Sequence, residues 1–341
     1  MVKLQTNHNS SETDQATANH SPGIAKSPWR SRYLKWVLIL TAVPVGLLLF
    51  SFLGRYSFFA ELASNFRFHL LVAILLAAAT IAYLGGYRWA VGLILVTLLA
   101  SSTVFCNFLP RDREAEGMTK MSVMSFNILG LNQRQDAVLD VISKSQPDVL
   151  VVIEYTSDWV GVFEALHTDY PYRIEQPRWH GFGIALFSKF PFSDPTVHRL
   201  ASSHTDSPMV VASLEVGADV PLRVAAAHLL APMGYTRMSI RNQQIREVKQ
   251  WLPVDSQPTV LVGDFNCVPW SPFLNELMNA TGLRDSRRGF GYQGSWPSDF
   301  WPMRIPIDHA FVSDNISVLD RKLIKDPTGS DHFPLLLELG F

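Results

Sequence analysis

Three long apolar blocks in the first third of the sequence constrain the fold more than any other feature. They run from Trp36 to Leu53, from Phe68 to Tyr87 and from Trp89 to Leu109. A helix needs about 20 apolar residues to cross the roughly 30 Å hydrocarbon core of a bilayer, and each block comes close to that length. Three such blocks in one short stretch exceed the core of any ordinary soluble domain. We therefore predict a three-span transmembrane anchor over residues 33–110, with the lipid bilayer as its partner.

The segment before the anchor has a different composition. Residues 1–32 are rich in Ser, Thr, Asn, Gln and His and contain almost no large apolar side chain before Trp29. Such a segment buries too little apolar surface to offset the conformational entropy lost on ordering, so we predict a disordered polar tail. It is not a cleaved signal peptide, because the apolar run begins about thirty residues into the chain and is longer than the apolar region of a signal peptide.

Basic residues near the blocks predict the orientation of the anchor. Four of them lie just before the first block: Lys26, Arg30, Arg32 and Lys35. The loop after the first block carries Arg55 and Arg67. Because Lys and Arg concentrate on the cytoplasmic side, the first cluster places the tail in the cytoplasm. Three spans then place the later domain on the non-cytoplasmic side, although Arg111 and Arg113 after the third block oppose this orientation.

Residues 118–341 have the pattern of a globular domain with mixed α and β structure. Eight short apolar runs predict buried strands: Met121–Ile128, Val149–Ile153, Ile184–Phe187, Met209–Val216, Leu222–His228, Val260–Val262, Ala310–Val312 and Leu335–Leu339. Helical stripes of apolar residues lie between some of them, at 137–142, 159–166 and 245–252. Two sheets packed face to face, with helices outside, would bury both kinds of apolar surface.

Charge and cysteine content exclude several functions for this domain. From Lys120 to Phe341 there are 19 Lys and Arg against 24 Asp and Glu, a net charge of −5. A surface that holds nucleic acid through bulk charge would be basic. The chain has 2 cysteines, Cys106 in the third apolar block and Cys267 in the later domain. A disulfide scaffold and a cysteine-rich zinc site are therefore both excluded.

Polar side chains that could take part in catalysis follow several of the predicted strands. Asn127 closes the first run, Glu154 follows Val149–Ile153, and His228 ends the run that begins at Leu222. An ionised Glu154 beside a buried run needs a partner, which a divalent cation would supply through oxygen ligation. Other interpretations remain open at each position: a turn-forming Asn, a salt-bridged Glu and a neutral core His.

Two further clusters add acidic, amide and imidazole groups. Asp264 and Asn266 lie two residues apart, a spacing that projects both side chains to the same side of an extended chain. The carboxylate could orient or deprotonate a water while the amide holds a phosphate oxygen. Asp308 could fix the tautomer of His332, which leaves Asp331 free to serve a metal site. Asp and Asn are also common in turns, so the ordered set carries more weight than any single member.

Taken together, these motifs resemble the endonuclease/exonuclease/phosphatase superfamily. The matching series is Ser125-Phe126-Asn127, Val152-Ile153-Glu154, Ala227-His228-Leu229, Gly263-Asp264-Phe265-Asn266, Ile307-Asp308-His309 and Ser330-Asp331-His332. The resemblance implies an α+β, deoxyribonuclease I-like catalytic domain over residues 118–341: a four-layer α/β/β/α sandwich preceded by three transmembrane helices. A narrower likeness, which includes Arg241 and Ser295-Trp296-Pro297, is to a bacterial subgroup with membrane spans. It implies an integral protein of the bacterial inner (plasma) membrane.

The resemblance also implies a reaction and a division of roles. The reaction is hydrolysis of a phosphoester with Mg²⁺, for which Mn²⁺ could substitute. The implied metal ligands are Asn127, Glu154 and Asp331, and the implied catalytic residues are His228, Asp264, Asn266, Asp308 and His332. Asp264 would orient or activate the water, and Asn266 would hold a phosphate oxygen. The His332–Asp308 pair would stabilise the pentacovalent state, and either Asp264 or His332 would be the general base.

Two functions from different classes follow. The first is a membrane-anchored, Mg²⁺-dependent phosphoesterase acting on a phosphodiester or phosphomonoester, as a nuclease or as a lipid or headgroup phosphodiesterase. Tethering favours a lipid substrate, whereas the name of the superfamily favours nucleic acid. The second is a catalytically silent, membrane-tethered binding module of the same fold. Inactive relatives normally lack a ligand or a proton-transfer residue, and all of them are present in this sequence.

Overall fold

The computed structural model describes residues 28–105, 108–109, 118–217, 220–252 and 255–341. Residues 1–27 of the predicted tail and residues 110–117, between the third apolar block and the predicted globular domain, lie outside the described residues. Residues 28–32, predicted as the end of the tail, instead form the start of the first helix. In this first part of the helix the rings of Trp29 and Tyr33 pack edge to face, with their centroids 5.9 Å apart.

Four helices make up the N-terminal part: α1 (Pro28–Phe50), α2 (Phe58–Asn65), α3 (Arg67–Tyr83) and α4 (Tyr87–Phe105). Two stretches are long and apolar enough to cross a membrane, Trp29–Leu53 and Tyr87–Phe105. α2 and α3 meet at 65° and supply a third span only if the bent pair acts as one. α3 alone has 17 residues, about 26 Å at the helical rise of 1.5 Å per residue. The predicted three spans are therefore not confirmed.

The segment between the first two apolar blocks differs from the predicted loop. It forms α2, which packs on the C-terminal domain: the indole Nε1 of Trp270 donates to the carbonyl of Ser64 at 2.7 Å. The two parts also share an apolar core that contains Leu71 of α3 and Ile305 of the C-terminal domain. The N-terminal helices and the C-terminal domain are thus joined by a packed interface.

Two six-stranded sheets form the centre of the described C-terminal domain. The first contains β1 (Lys120–Asn127), β2 (Val149–Ile153), β3 (Tyr172–Gln176), β4 (Ile184–Ser188), β11 (Ser317–Leu323) and β12 (Leu335–Gly340), in the order β11-β12-β1-β2-β4-β3. The second contains β5 (Phe192–Leu200), β6 (Ser207–Leu214), β7 (Leu222–His228), β8 (Thr259–Asp264), β9 (Arg284–Asp285) and β10 (Asp308–Val312), in the order β5-β6-β7-β8-β10-β9.

Each of the eight apolar runs corresponds to a strand, and the strands that the runs did not predict lie at the sheet edges. These are β3, β5, β9 and β11, the two outer strands of each sheet. An edge strand has a neighbour on one side only, and its side chains are more often exposed. β5, for example, is exposed through most of its middle. Edge strands therefore lack the continuous apolar run by which central strands were recognised.

Helices cover the outer face of each sheet. α5 (Gln135–Ser145) and α6 (Ser157–Phe163) pack on the first sheet through Ile142 and Trp159. α7 (Tyr235–Trp251) and α8 (Pro272–Thr281) pack on the second sheet through Val248 and Leu277. A core of mainly aliphatic side chains fills the space between the two sheets. The predicted α/β/β/α sandwich is therefore confirmed.

Strand register brings polar strand ends to one edge of the sandwich. β1 runs parallel to β2, so Asn127 lies at the end of the first sheet where β2 also ends. β7 runs parallel to β8 with His228 opposite Asp264. β10 runs antiparallel to β8, and its first residue, Asp308, also lies opposite Asp264. The C-terminal ends of β1, β2, β7 and β8 and the first residue of β10 thus lie at the same edge of the sandwich.

Candidate active site

One cavity of about 630 Å³ lies at this edge of the sandwich, and most of the predicted site residues line it. The predicted residues among its lining are Glu154, His228, Asp264, Asn266, Asp331 and His332. The other two, Asn127 and Asp308, are buried and hydrogen bonded to members of this group. The structure therefore brings all eight predicted side chains together.

Asn127 connects the carboxylates of the two sheets. Its Nδ2 lies 3.2 Å from Oε1 of Glu154 and 3.2 Å from Oδ2 of Asp264. Its Oδ1 accepts the backbone N–H of Leu129 at 3.1 Å. The amide hydrogens, rather than the amide oxygen, thus face the carboxylates. Asn127 would need to rotate its amide to present oxygen to a cation, as predicted for a metal ligand.

Glu154 is held in an uncommon backbone conformation. Its φ is +63°, in the left-handed region that a residue with a Cβ rarely adopts. The backbone N–H of Gly130 donates to its Oε2 at 3.0 Å. A side chain at Gly130 would meet the carbonyl of Glu154 at 3.1 Å and the methyl group of Thr156 at 2.7 Å, so glycine is required for this approach. Strain of this kind collects at functional sites, because the surrounding structure fixes the side chain in one position.

His332 and Asp308 form a buried hydrogen-bonded pair. Nδ1 of His332 lies 2.8 Å from Oδ2 of Asp308, and its Nε2 lies 3.7 Å from Oδ2 of Asp264. The hydroxyl of Ser295 accepts the backbone N–H of Asp308 at 3.2 Å. The hydroxyl of Ser330 accepts the backbone N–H of His332 at 3.0 Å. The imidazole therefore has a fixed orientation, with one nitrogen on Asp308 and the other directed toward Asp264.

Charge and burial set the protonation of this group. Burial lowers the pKa of His332, but Asp308 and Asp264 outweigh it and raise that pKa to about 10. Burial, together with nearby Asp308, raises the pKa of Asp264 to about 8. Burial disfavours ionised Asp308, yet the contact with His332 holds the pKa of Asp308 below its usual range. At neutral pH the His332–Asp308 pair is thus charged on both members and faces Asp264. A cation bound nearby would lower the pKa of Asp264 and favour its carboxylate form.

Asp264 and Asn266 form a turn at the end of β8. The backbone N–H of Asn266 donates to Oδ1 of Asp264 at 2.9 Å, and the Asn266 amide donates to the carbonyl of Leu229 at 2.9 Å. Asn266 has a φ of +49°. Turn-forming and functional interpretations of this pair are therefore compatible, because the turn directs both side chains toward the cavity.

His228 and Phe182 both line the cavity. Nε2 of His228 is 3.8 Å from Oδ2 of Asp264, and its ring packs on Phe182 with centroids 5.5 Å apart. Burial lowers the pKa of His228, which favours the neutral imidazole. Within the described residues its Nδ1 is buried without a hydrogen-bond partner.

Asp331 is positioned by a residue to which the sequence analysis gave no role. Nε1 of Trp296 donates to Oδ2 of Asp331 at 2.8 Å. Ser295, Ser330 and Gly130, which fix Asp308, His332 and Glu154, were also not predicted to take part. Ser295-Trp296-Pro297 did belong to the narrower likeness. That motif was a signal that could have pointed to two of these contacts, Trp296 on Asp331 and Ser295 on Asp308. The contact from Gly130 depends on tertiary structure and has no sequence signal of its own.

The donor set fits a divalent cation. Carboxylates of Glu154, Asp264 and Asp331 face one cavity, and oxygen ligands of this type suit Mg²⁺ and Mn²⁺. Within the described residues, a second group could also hold an ion: ligand atoms of Asp264, Asp308 and His332 all lie within 4.8 Å of one another. The 2.8 Å contact inside that group is a hydrogen bond, and a protonated imidazole is no ligand, so we favour the carboxylate side that contains Glu154.

Fold and site together define an α/β sandwich with an acidic, metal-compatible active site. The chain matches the model of the Endonuclease/Exonuclease/phosphatase family over residues 124–332, and it belongs to that family. Members of the superfamily are hydrolases that act on phosphoester bonds. The recognition made from the sequence motifs is therefore confirmed. The comparison with curated proteins finds no match.

Solved structures share this fold at low sequence identity. An endonuclease/exonuclease/phosphatase from Beutenbergia cavernae has a TM-score of 0.55 at 19% identity, over 65% of this chain and 72% of that one. D. rerio TDP2, complexed with single strand DNA product, has a TM-score of 0.56 at 17% identity, over 65% and 100%. A Bacteroides thetaiotaomicron mannosyl-6-phosphatase has a TM-score of 0.52 at 18% identity, over 65% and 100%. At such identities the likeness establishes the fold and leaves the substrate open.

Proposed function

We propose that this protein is a membrane-anchored, Mg²⁺-dependent phosphoesterase that hydrolyses a phosphodiester or a phosphomonoester. The observation that carries the proposal is the buried contact of 2.8 Å between His332 and Asp308, directed at Asp264 in the cavity that Glu154 also lines. A charged imidazole beside two carboxylates, with oxygen donors for a cation, is the set that in-line attack of water on phosphorus requires.

The side chains divide the work as follows. Asp264 orients the attacking water and accepts its proton. The Asn266 amide and neutral His228 hold phosphate oxygens, and the charged His332 stabilises the negative charge that grows on phosphorus oxygens in the transition state. Asp308 keeps His332 in the protonated form and in the correct orientation.

Glu154 and Asp331 would hold the cation, with Asn127 beside them. When bound, a divalent cation supplies charge neutralisation at the phosphoryl oxygens. Trp296 fixes one oxygen of Asp331, a residue that lines the cavity. The two oxygens of Glu154 accept the backbone N–H of Gly130 and the side-chain amide of Asn127. Carboxylates that such hydrogen bonds already hold in place need little rearrangement to bind an ion.

Anchoring and orientation complete the proposal. We propose that α1, the bent pair of α2 and α3, and α4 are three spans of a bacterial inner membrane. Basic residues before the first span place the N-terminus in the cytoplasm and the catalytic domain on the other side. Protease treatment of intact spheroplasts tests this: cleavage of the catalytic domain supports the orientation, and complete protection contradicts it.

Hydrolysis of bis-p-nitrophenyl phosphate by the full-length protein, with Mg²⁺ or Mn²⁺, tests the activity. Glu154→Gln and His332→Ala are expected to lower kcat/KM by about 10²-fold or more, as loss of a cation ligand or a transition-state charge does. Glu338→Gln on β12 and His198→Ala on the edge strand β5 are matched controls of the same residue types outside the cavity.

Three results separate the alternatives. Loss of activity in the two site variants and its retention in the two controls support the proposal. Activity that survives both site changes overturns the site assignment. A folded protein without activity in either metal favours the silent binding module instead.

A further inference from the structure

The active-site cavity has a wall that comes from the membrane anchor. Leu62, Asn65 and Phe66, at the end of α2 and its junction with α3, line the same cavity as Glu154 and His332. Leu62 keeps 45% of its surface exposed although it borders the cavity. An apolar side chain that is half exposed at the edge of a catalytic cavity is available to a ligand.

Contacts on both sides of Leu62 hold this wall in place. Glu61 of α2 forms a buried ion pair with Arg241 of α7. Arg241 in turn donates to the carbonyl of Asn266 at 3.1 Å. On the other side of Leu62, the carbonyl of Ser64 accepts the indole N–H of Trp270. The anchor segment is thus attached to the residues that carry the catalytic groups, and its position at the cavity is fixed.

Charge at the cavity does not suit a polyanion. Among the described residues that line it, Arg237 is the one Lys or Arg, whereas Glu154, Asp264 and Asp331 supply three carboxylates. Nucleic acid gains most of its affinity from several cationic contacts along the phosphate backbone. A single phosphoester held by a cation needs far fewer of them.

Apolar groups continue from the anchor wall to the opening of the cavity. Phe182, Met233 and Met303 line it together with Leu62, and the side chains of Met233 and Met303 are exposed. Trp301, two residues before Met303, is also exposed. Exposed aromatic and methionine side chains next to a membrane anchor suit the bilayer interface, where apolar groups meet headgroups.

A second cavity, of about 700 Å³, also borders the segment 301–305. It is lined by Phe68, Val72 and Leu76 of α3 and by Arg304, Lys322 and Lys325 of the catalytic domain. Apolar side chains from a membrane helix and cations from a domain are the combination that an anionic amphiphile recognises. Side chains suited to bind an amphiphile therefore line both cavities that border this segment.

From these observations, we infer that Leu62, Phe66 and Met303 form a subsite for the hydrocarbon part of a phosphoester that the bilayer presents to the active site. The inference rests on the proposed function and names its substrate class, an amphiphilic phosphoester. The hydrocarbon part lies against the α2–α3 junction, and the phosphorus lies at the acidic end of the cavity. The anchor then acts as part of the substrate-binding site in addition to its role as a tether.

Two p-nitrophenyl phosphodiesters test the subsite in the full-length protein, in mixed micelles of constant composition with Mg²⁺. Ethyl p-nitrophenyl phosphate and tetradecyl p-nitrophenyl phosphate differ only in the alkyl chain. In both, water adds to phosphorus and p-nitrophenolate leaves, so the same bond is followed. We expect kcat/KM to be at least about tenfold higher for the tetradecyl ester, since added buried methylene groups each favour binding.

Leu62→Asn is expected to lower the tetradecyl-to-ethyl ratio of kcat/KM about fivefold or more, because it removes apolar contact area. Val220→Asn is the matched control: Val220 is 46% exposed and lies just before β7, at the strand end away from His228. It should leave the ratio unchanged. A wild-type ratio near one, or a ratio that Leu62→Asn does not change, overturns the subsite. Absence of hydrolysis of both esters in Mg²⁺ and Mn²⁺ overturns the proposed function and the subsite with it.

Discussion

Glu61 lies in α2, among the N-terminal helices, yet replacing it should disturb the C-terminal domain. Its carboxylate is buried and pairs with Arg241, a side chain with no exposed surface. The other partners of Arg241 are neutral oxygens, Oδ1 of Asn242 at 2.9 Å and the carbonyl of Asn266 at 3.1 Å. Glu61→Gln keeps the size of the side chain and removes the only carboxylate that the described residues place on this guanidinium.

Removing one member of a buried ion pair costs about 3–5 kcal/mol, because the remaining charge stays buried without a counter-charge. The chain can limit this cost by releasing α2 from the domain, so we take the lower end. A change of about 3 kcal/mol alters an equilibrium by roughly 10²-fold. The docked state of α2 should therefore open about a hundred times more often in Glu61→Gln than in the wild type.

Hydrogen exchange measured by mass spectrometry on the full-length protein in detergent reports this opening at the amides of Phe58–Asn65. The control is Glu276→Gln, which breaks the ion pair with Arg55 between the same two parts of the chain. Those side chains are 50% and 48% exposed, and an exposed pair contributes about 0–1 kcal/mol. If Glu61→Gln accelerates exchange no more than Glu276→Gln, the buried pair does not hold α2 in place and the reasoning is refuted.

Three further predictions concern the active site. Asp308→Asn removes a charge that raises the pKa of His332. Activity requires the protonated imidazole and is lost as pH rises through its pKa, so the alkaline limb of the pH–rate profile should move down by ~1–3 pH units. An unmoved limb would contradict the pairing. Trp296→Phe keeps an aromatic ring but removes the N–H that donates to Asp331. The Mg²⁺ concentration for half-maximal activity should therefore rise about 10–100-fold. An equal rise in Phe333→Leu would point to a packing effect. Gly130→Ala places a methyl group 2.7 Å from a threonine methyl and 3.1 Å from a backbone carbonyl, so Tm should fall by several degrees as overpacking costs about 1–3 kcal/mol; an unchanged Tm would show that the loop yields.

Local patterns predicted the central strands and the candidate site residues at their ends. A strand buried on both faces has a continuous apolar run, and a polar residue directly after such a run lies at a sheet end. For this reason neighbouring residues alone predicted β2 with Glu154 after it, and β8 with Asp264 at its end. The same reasoning failed for the edge strands such as β5, which have exposed side chains and no such run.

The apolar blocks predicted helices for the anchor but not how it is used. Length and composition are properties of one segment, so they support spans at α1 and α4. Nothing in the loop between the first two blocks indicated that it would become α2 and pack on the catalytic domain. Its ion pair joins residues 180 positions apart in the chain.

The amino-acid sequence by itself determined the membrane-compatible helices, the central strands and the identity of the candidate site residues, because each depends on residues close together in the chain. Tertiary structure alone decided the partner of each side chain: Asn127 between two carboxylates, Trp296 on Asp331, and α2 at the wall of the cavity. These contacts form between distant segments, and they exist only once two sheets and an anchor have packed against one another.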